Sequence, residues 1–423
     1  MIFDELDSLD AARTKIMVIG VGGAGKNAID HMIENEVHGV DFVAVNTDAQ
    51  DLKYSKAKNR LLIGRHTTRG HGAGANPDVG RMAALESEEE IREMVSEADM
   101  VFITCGMGGG TGTGAAPVIA KCARENNCLT IGICTKPFLF EGPERMNNAV
   151  AGLTALREYV DTLIVIPNQR LLQIVDPSTP MLEAYREADN VLRKGVQGIS
   201  EIISIPGMIN VDFADVRHVM ANSGTALMGI GAATGPDRAL KAARNAIRSS
   251  LLEVTIDGAT DAIVNFTASE SLAAKEIEIA LAEIRNNCDK DLNIIYGTAY
   301  NNDLGDEMIV TVIATGYELK AQNNGYDELA SEIYKNVSEQ NIEYEGLTSH
   351  IHPAELEEED IEDELDDPNY NKTKEIFDLK TTRKQEKLRL KEEKRRKKEE
   401  ARTSSVEYEE PKNRKEFPSW LKK

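Results

Sequence analysis

Two glycine-rich segments carry the residues whose type and spacing suit chemistry. The first, Gly20-Val21-Gly22-Gly23-Ala24-Gly25-Lys26-Asn27, satisfies G-x-G-x-x-G through Gly20, Gly22 and Gly25. It equally satisfies G-x-x-x-x-G-K, with Asn27 where that pattern carries a magnesium-binding Ser or Thr. Both patterns work the same way: glycines let the backbone approach a phosphate, whose charge meets free N–H groups at a helix start. The segment therefore predicts anion binding and leaves the nucleotide open; a tight strand-to-helix turn without ligand is the plain alternative. The second segment, Cys105 followed by Gly106-Met107-Gly108-Gly109-Gly110-Thr111-Gly112-Thr113-Gly114, lies between another apolar run and another helical pattern. Ordering so many glycines costs backbone entropy, so a ligand is expected there. Two phosphate cradles in one parallel sheet suit a triphosphate held from two sides better than half of a dehydrogenase. The seven histidines form no acid–base constellation that nicotinamide chemistry would use.

No residue beside the glycine loops reads as a general base. Carboxylates come instead from INVDFADV, with Asn210, Asp212 and Asp215; on spacing alone they suit helix capping and solvation near a turn. Gly72-Ala73-Gly74-Ala75-Asn76 is small, flexible and precedes a helix, which suits either an anion site or a solvent loop. Glu141 and Arg145 have the spacing of an i,i+4 pair on a helix. Tyr185 and Asp189 fall on one helix face.

These residues need a scaffold that brings strand ends together. KIMVIG (15–20), DFVAVNTD, LLIG, DMVFITCG, LTIGICTK and DTLIVIPN read as strands, most of them buried. Helices are expected after the first of them, through 81–98, after the glycine run, and between the last two. That alternation implies an α/β class with a mostly parallel, Rossmann-like sheet covered on both faces. A long helix starts after Pro177-Ser178-Thr179 and ends before Pro206. Beyond it, AIVNFTAS, DLNIIYGTAYN and EMIVTVIATGY with helices at 236–250 and 272–286 predict a smaller α/β unit with a mixed sheet. The expected division is 1–178, a central helix 179–205, 206–318, a charged linker 319–411 and a terminal peptide 412–423.

The 423 residues carry a formal charge of −22, distributed in blocks. Glu339–Asp367 holds 13 acids and no Lys or Arg; residues 372–402 hold 14 basic and 7 acidic side chains. Such segments cannot supply a core. The acidic body argues against general DNA binding, which needs clustered cations, while the basic block at 380–402 keeps an anionic surface contact open. No run of about 18 apolar residues occurs, and the N-terminal MIFDELDSLDAART lacks an apolar signal core. Five cysteines without ligand spacing suggest buried thiols in a reducing compartment. Phe417, Pro418, Trp420 and Leu421 stand out in the polar tail as anchors for a partner groove.

GGGTGTG at 108–114 resembles the signature of the tubulin/FtsZ family of GTPases. The resemblance extends through GVGGAGKNA (20–28), AVNTDAQ (44–50), GAGANPDVG (72–80), PFLFEGPER (137–145), IPNQRLL (166–172), EADNVLR (187–193) and INVDFADV (209–216), and the final EFPSWLKK is similar to the tail peptide of the family's bacterial FtsZ branch. It implies GTP or GDP as ligand, with Mg2+ carried mainly by the phosphates and no dedicated protein ligands for metal. It implies phosphate contacts from Gly22, Gly23, Ala24, Gly25, Lys26 and Asn27 on one side and Gly109, Gly110, Thr111 and Gly112 on the other, with Ala73, Gly74 and Ala75 sensing the terminal phosphate. Glu141 and Arg145 match ribose and phosphate contacts, Asn168 and Asp189 match guanine contacts, and Tyr185 stands where an aromatic ring stacks on the base. Asn210, Asp212 and Asp215 would complete the active site of the next subunit in a head-to-tail filament. The resemblance also implies a cytoplasmic protein that forms the division ring at mid-cell, on the inner face of the membrane, and meets membrane-tethering adaptors through its tail. Three residues depart from the family pattern: Lys26 replaces a small or amide residue, His71 a Leu, and Ser269-Glu270-Ser271 a Gly-Gly turn.

Overall fold

The computed structural model describes residues 14–316 apart from 174, 177, 205–208, 210, 250–255, 257 and 289–290. Asn210, the linker and the terminal peptide therefore lie outside the described residues. Six parallel strands open the fold: β1 (Ile16–Val21), β2 (Asp41–Asn46), β3 (Asn59–Leu62), β4 (Met100–Gly106), β5 (Leu129–Lys136) and β6 (Thr162–Pro167). Their order is β3-β2-β1-β4-β5-β6, the doubly wound arrangement whose chain direction across the sheet reverses between β1 and β4. Every residue of β5 is buried, because strands covered on both faces need no polar side.

One face of this sheet carries α1 (Gly22–Glu34) and α8 (Met181–Ser204). The other carries α3 (Pro77–Glu86), α4 (Glu88–Val95), α5 (Thr111–Glu125) and α6 (Pro143–Arg157). Short helices α2 (Ala49–Lys53) and α7 (Asn168–Leu171) follow β2 and β6. The single helix expected through 81–98 is two. Ser87 adopts φ −104° and ψ 22°, and its hydroxyl accepts the Gly64 N–H at 3.1 Å.

Helix α8 is 24 residues long and spans about 36 Å. Ahead of the second sheet comes α9 (Phe213–Met220), and then β7 (Gly224–Ala233), which pairs in parallel with β6 and antiparallel with β10 (Met308–Thr315). The remaining order is β10-β8-β9, with β8 at Asp261–Ala268 and β9 at Asn293–Tyr300. Helices α10 (Arg238–Ile247) and α11 (Ala274–Asn286) cover this mixed sheet and share its core. The Ser269-Glu270-Ser271 turn needs no glycine, since none of the three has a positive φ. Ser269 instead ties to Gly305 O at 2.7 Å and to the Ser271 hydroxyl at 2.8 Å.

Helix α5 starts inside the glycine run, and one of its glycines is a packing requirement. A Cβ on Gly114 would lie 1.9 Å from Pro77 O, where α3 crosses α5. Gly114→Ala is expected to lower folding stability by about 2–3 kcal/mol, read as a lower urea midpoint at unchanged slope.

Candidate functional site

At the carboxyl ends of β1, β4, β5 and β6 a cavity of about 410 Å³ opens, lined by Val21, Gly106, Thr135 and Asn168 from those ends or the residues just beyond. It sits at the β1/β4 reversal, where an open α/β sheet leaves a crevice. Gly22, Gly23, Ala24 and Asn27 line one wall; Gly109, Gly110, Thr111 and Gly112 line the facing one. The two loops touch: a Cβ on Gly22, which has φ +71°, would lie 3.0 Å from Gly112 N. Thr111 Oγ1 and Thr47 Oγ1 are 2.6 Å apart, which joins the second loop to the turn after β2. Gly109 has no protein atom within 4 Å of its Cβ position, so chain packing does not require a glycine there and an occupant of the cavity would.

The opposite end of the cavity is built on α8. Tyr185, Ala188, Asp189 and Leu192 share one helix face and line it together. Asp189 has no donor among the described residues, and burial pushes its carboxyl up to about 7. Asn168 Oδ1 is buried there without a hydrogen-bond partner. Two such acceptors in one pocket are costly unless a ligand supplies N–H groups. Guanine offers its N1–H and 2-amino group; adenine offers no such adjacent pair of donors. Tyr185 packs edge-on against Phe138 at 5.2 Å, and the cavity lies beside its ring.

Glu141 and Arg145 do pair, but across a break rather than along one helix. Glu141 ends a 3-10 turn, Gly142 has φ +99°, and Arg145 lies in α6. Both line the cavity, and the Phe138 N–H also donates to Glu141 at 2.9 Å.

Five expected contacts lie off the cavity wall. Gly25 packs inward: its Cβ position is 2.4 Å from Thr104 O. Lys26 is 8% exposed and turns away, with Nζ 3.0 Å from Asp51 and 3.6 Å from Asp30. Ala73, Gly74 and Ala75 form a loop behind Gly110, whose Cβ position is 2.8 Å from Ala73 Cβ and 2.9 Å from Asn76 N. Ala75 has φ 60°, a left-handed conformation uncommon for alanine. His71, in the same loop, is exposed and bridges to Asp48 through the backbone.

Residues 15–176 match the Tubulin/FtsZ family, GTPase domain, and residues 224–318 match the FtsZ family, C-terminal domain. The chain belongs to the tubulin/FtsZ family. Among solved structures it resembles an empty FtsZ dimer from M. jannaschii at 44% identity, over 74% of this chain and 92% of that one, with a TM-score of 0.71. Two CetZ proteins of Haloferax volcanii share the fold. CetZ2, a GTPγS-bound protofilament, is 21% identical (77% and 100% covered, TM-score 0.64). CetZ1, a GDP-bound monomer, is 24% identical with the same coverage and score. The cavity is thus lined mostly by residues of the matched GTPase domain, with Tyr185, Ala188, Asp189 and Leu192 added from α8 beyond it, and no helix among the described residues is long and apolar enough to cross a membrane.

Asp212 and Asp215 are far from that cavity. Both are exposed at the start of α9, and neither makes a capping bond. Helix α9 lies at the amino ends of the strands: Arg217 donates to Asn127 O, two residues before β5, and the Asn222 N–H donates to Asp161, just before β6. The run of β5 from Leu129 to Thr135 puts about 20 Å between this edge and the cavity. The Val211 N–H, just before Asp212, donates to Ile202 O on α8, thirteen residues or about 20 Å beyond Asp189.

One consequence concerns pH. Only the carboxylate form of Asp189 accepts two N–H bonds, so if a guanine base docks on it, binding must displace its proton. Affinity is expected to level off above about pH 7 and to fall by up to about tenfold per unit below it. Calorimetry at pH 6 in buffers of different ionisation heat should show close to one proton released per nucleotide bound.

Proposed function

We propose that this chain binds and hydrolyses GTP and polymerises head to tail, each nucleotide site being completed by the carboxylate loop of the next copy. The observation that carries this reading is the separation just described. The glycine loops of the cavity carry no carboxylate or histidine of their own, while two exposed carboxylates, Asp212 and Asp215, stand at the opposite end of the strands. Of the carboxylates lining the cavity, Glu141 is paired with Arg145 and the Phe138 N–H, and Asp189 on α8 would be taken up by the guanine base. Stacking copies along the strand direction would bring Asp212 and Asp215 of one over the cavity of another. Phosphoryl transfer depends mainly on positioning and charge stabilisation, so carboxylates that orient water suffice to complete the site.

The cavity mouth suits such stacking. Leu139, Phe140, Leu172, Met181 and Leu182 are exposed, Phe140 by 58% and Leu182 by 65%, and each lies within four residues of a cavity-lining side chain. Exposed apolar residues beside a cavity suit an interaction surface. Mg2+ would travel with the phosphates and neutralise their charge. Among the described residues no group of three His, Cys, Asp or Glu side chains is placed to hold a metal, and the cavity has Asn27 where a phosphate loop carries a metal-binding hydroxyl.

In the cell these filaments would form the cytokinetic ring on the inner face of the membrane, tethered by adaptors that bind Phe417, Pro418, Trp420 and Leu421. A pelleting assay with Mg2+ tests the reading. GTP should give filaments that later disassemble, a non-hydrolysable analogue should give persistent filaments, and GDP should give few. Equal pellets under all three conditions would favour a scaffold that binds nucleotide without turning it over.

A further inference from the structure

Lys26 occupies the place where a phosphate-loop lysine would reach its ligand, yet its ammonium points behind the loop. The reason lies in its partners. Asp51 Oδ1 accepts from Lys26 Nζ at 3.0 Å, while Asp51 Oδ2 accepts from Asn46 Nδ2 at 2.8 Å. Asp30, the other carboxylate near Lys26, is already held by the Ser55 hydroxyl at 2.8 Å and the Lys56 N–H at 2.6 Å. Lys26 Nζ is thus at hydrogen-bond distance from Asp51 Oδ1, whereas it stands 3.6 Å from Asp30 Oδ2.

Asp51 is close to the cradle. Its Oδ2 lies 3.5 Å from the Cβ position of Gly23, which lines the cavity. Asn46 also anchors the same turn, accepting the Thr47 N–H at 2.8 Å, and Thr47 meets Thr111 of the second loop. The turn after β2 thus meets the second glycine loop, and α2, which follows it, carries a carboxylate beside the first. Backbone N–H groups at a helix start attract any anion, a side-chain carboxylate as well as a phosphate.

We propose that the part-buried Lys26–Asp51 pair, braced by Asn46, is a positioning device of the nucleotide site: Lys26 neutralises Asp51 and holds its carboxylate off the backbone of Gly22–Ala24 that lines the cavity. The inference rests on the proposed GTP site. Lys26 touches no ligand in this scheme and acts through Asp51.

Charge removal on one side of the pair and then on both tests it. Lys26→Met leaves Asp51 unneutralised beside the phosphates, so GTP and GDP should bind roughly tenfold more weakly, with the deficit shrinking as salt rises. The Michaelis constant should rise while kcat at saturation changes little. The double variant Lys26→Met/Asp51→Asn should recover most of the affinity, because the competing charge is gone. A strut needed only for folding gives the opposite order, with the double variant no better than the single. Thermal unfolding of the empty proteins separates the two effects, and Lys26→Arg, which keeps the charge, should bind like the parent. Equal GTP affinity in the parent and Lys26→Met, or no recovery in the double variant, would overturn the inference. A parent that binds no GTP would overturn the nucleotide site itself.

Discussion

Asp212→Ala is expected to bind GTP as tightly as the parent and to hydrolyse it at least about a hundredfold more slowly, the scale of removing one group that acts only in the transition state. The physical basis is distance. Asp212 stands at the far end of the strands from the cavity, so its loss cannot alter nucleotide affinity within one copy. It is also exposed and makes no capping bond, so folding stability should change by no more than about 0.5 kcal/mol. Nucleotide binding, unfolding and turnover measured on the same preparation separate these effects. Asp215→Ala should behave similarly, with a small added loss of helix stability because an acid leaves the first turn of α9. Unchanged turnover in both variants would remove the carboxylate loop from the reaction.

The second large effect concerns the base. Asp189→Asn exchanges an acceptor-only group for one that also donates. Guanine's 2-amino group would then face an amide, and GTP affinity is expected to fall about a hundredfold, in the range lost when a polar site no longer matches its ligand. A xanthine nucleotide carries a carbonyl at that position and should gain affinity, reversing the parent's preference. The empty variant should also be more stable than the parent at pH 8. In the parent a carboxyl pushed up to about 7 is charged and buried above that pH, and the amide avoids that cost. Competition between labelled GTP and xanthosine triphosphate reads the switch. An unchanged preference would place the base elsewhere in the cavity.

How much of this was legible in the sequence depended on which force shaped each residue. The parallel strands were plain because burial on both faces leaves continuous apolar runs such as LTIGICTK. β7 was not legible, although it joins the two sheets. GTALMGIGAA is rich in Gly and Ala, which strands disfavour, and a Cβ on Gly231 would lie 2.2 Å from Ala242 O, where α10 rests on the strand. That glycine answers to a helix eleven residues away, not to local propensity. The glycine run was read as one loop for the same reason. Gly109 faces open cavity, but Gly114 belongs to α5 and packs on Pro77. Periodicity placed Tyr185 and Asp189 on one face of α8; Leu192, one turn on, lines the cavity too and was not singled out. Periodicity was silent about Thr135 and Pro137, which reach the cavity because the sheet order puts β5 beside β4. The motif drew Lys26 toward the phosphates; its ion pair with Asp51, twenty-five residues away, drew it back.

Specific GTPase activity as a function of protein concentration tests the shared site most directly. It should be near zero at low concentration, rise steeply through the concentration at which filaments first pellet, and level off above it. Activity per copy that stays constant from far below that threshold to far above it would show that a single copy holds a complete active site.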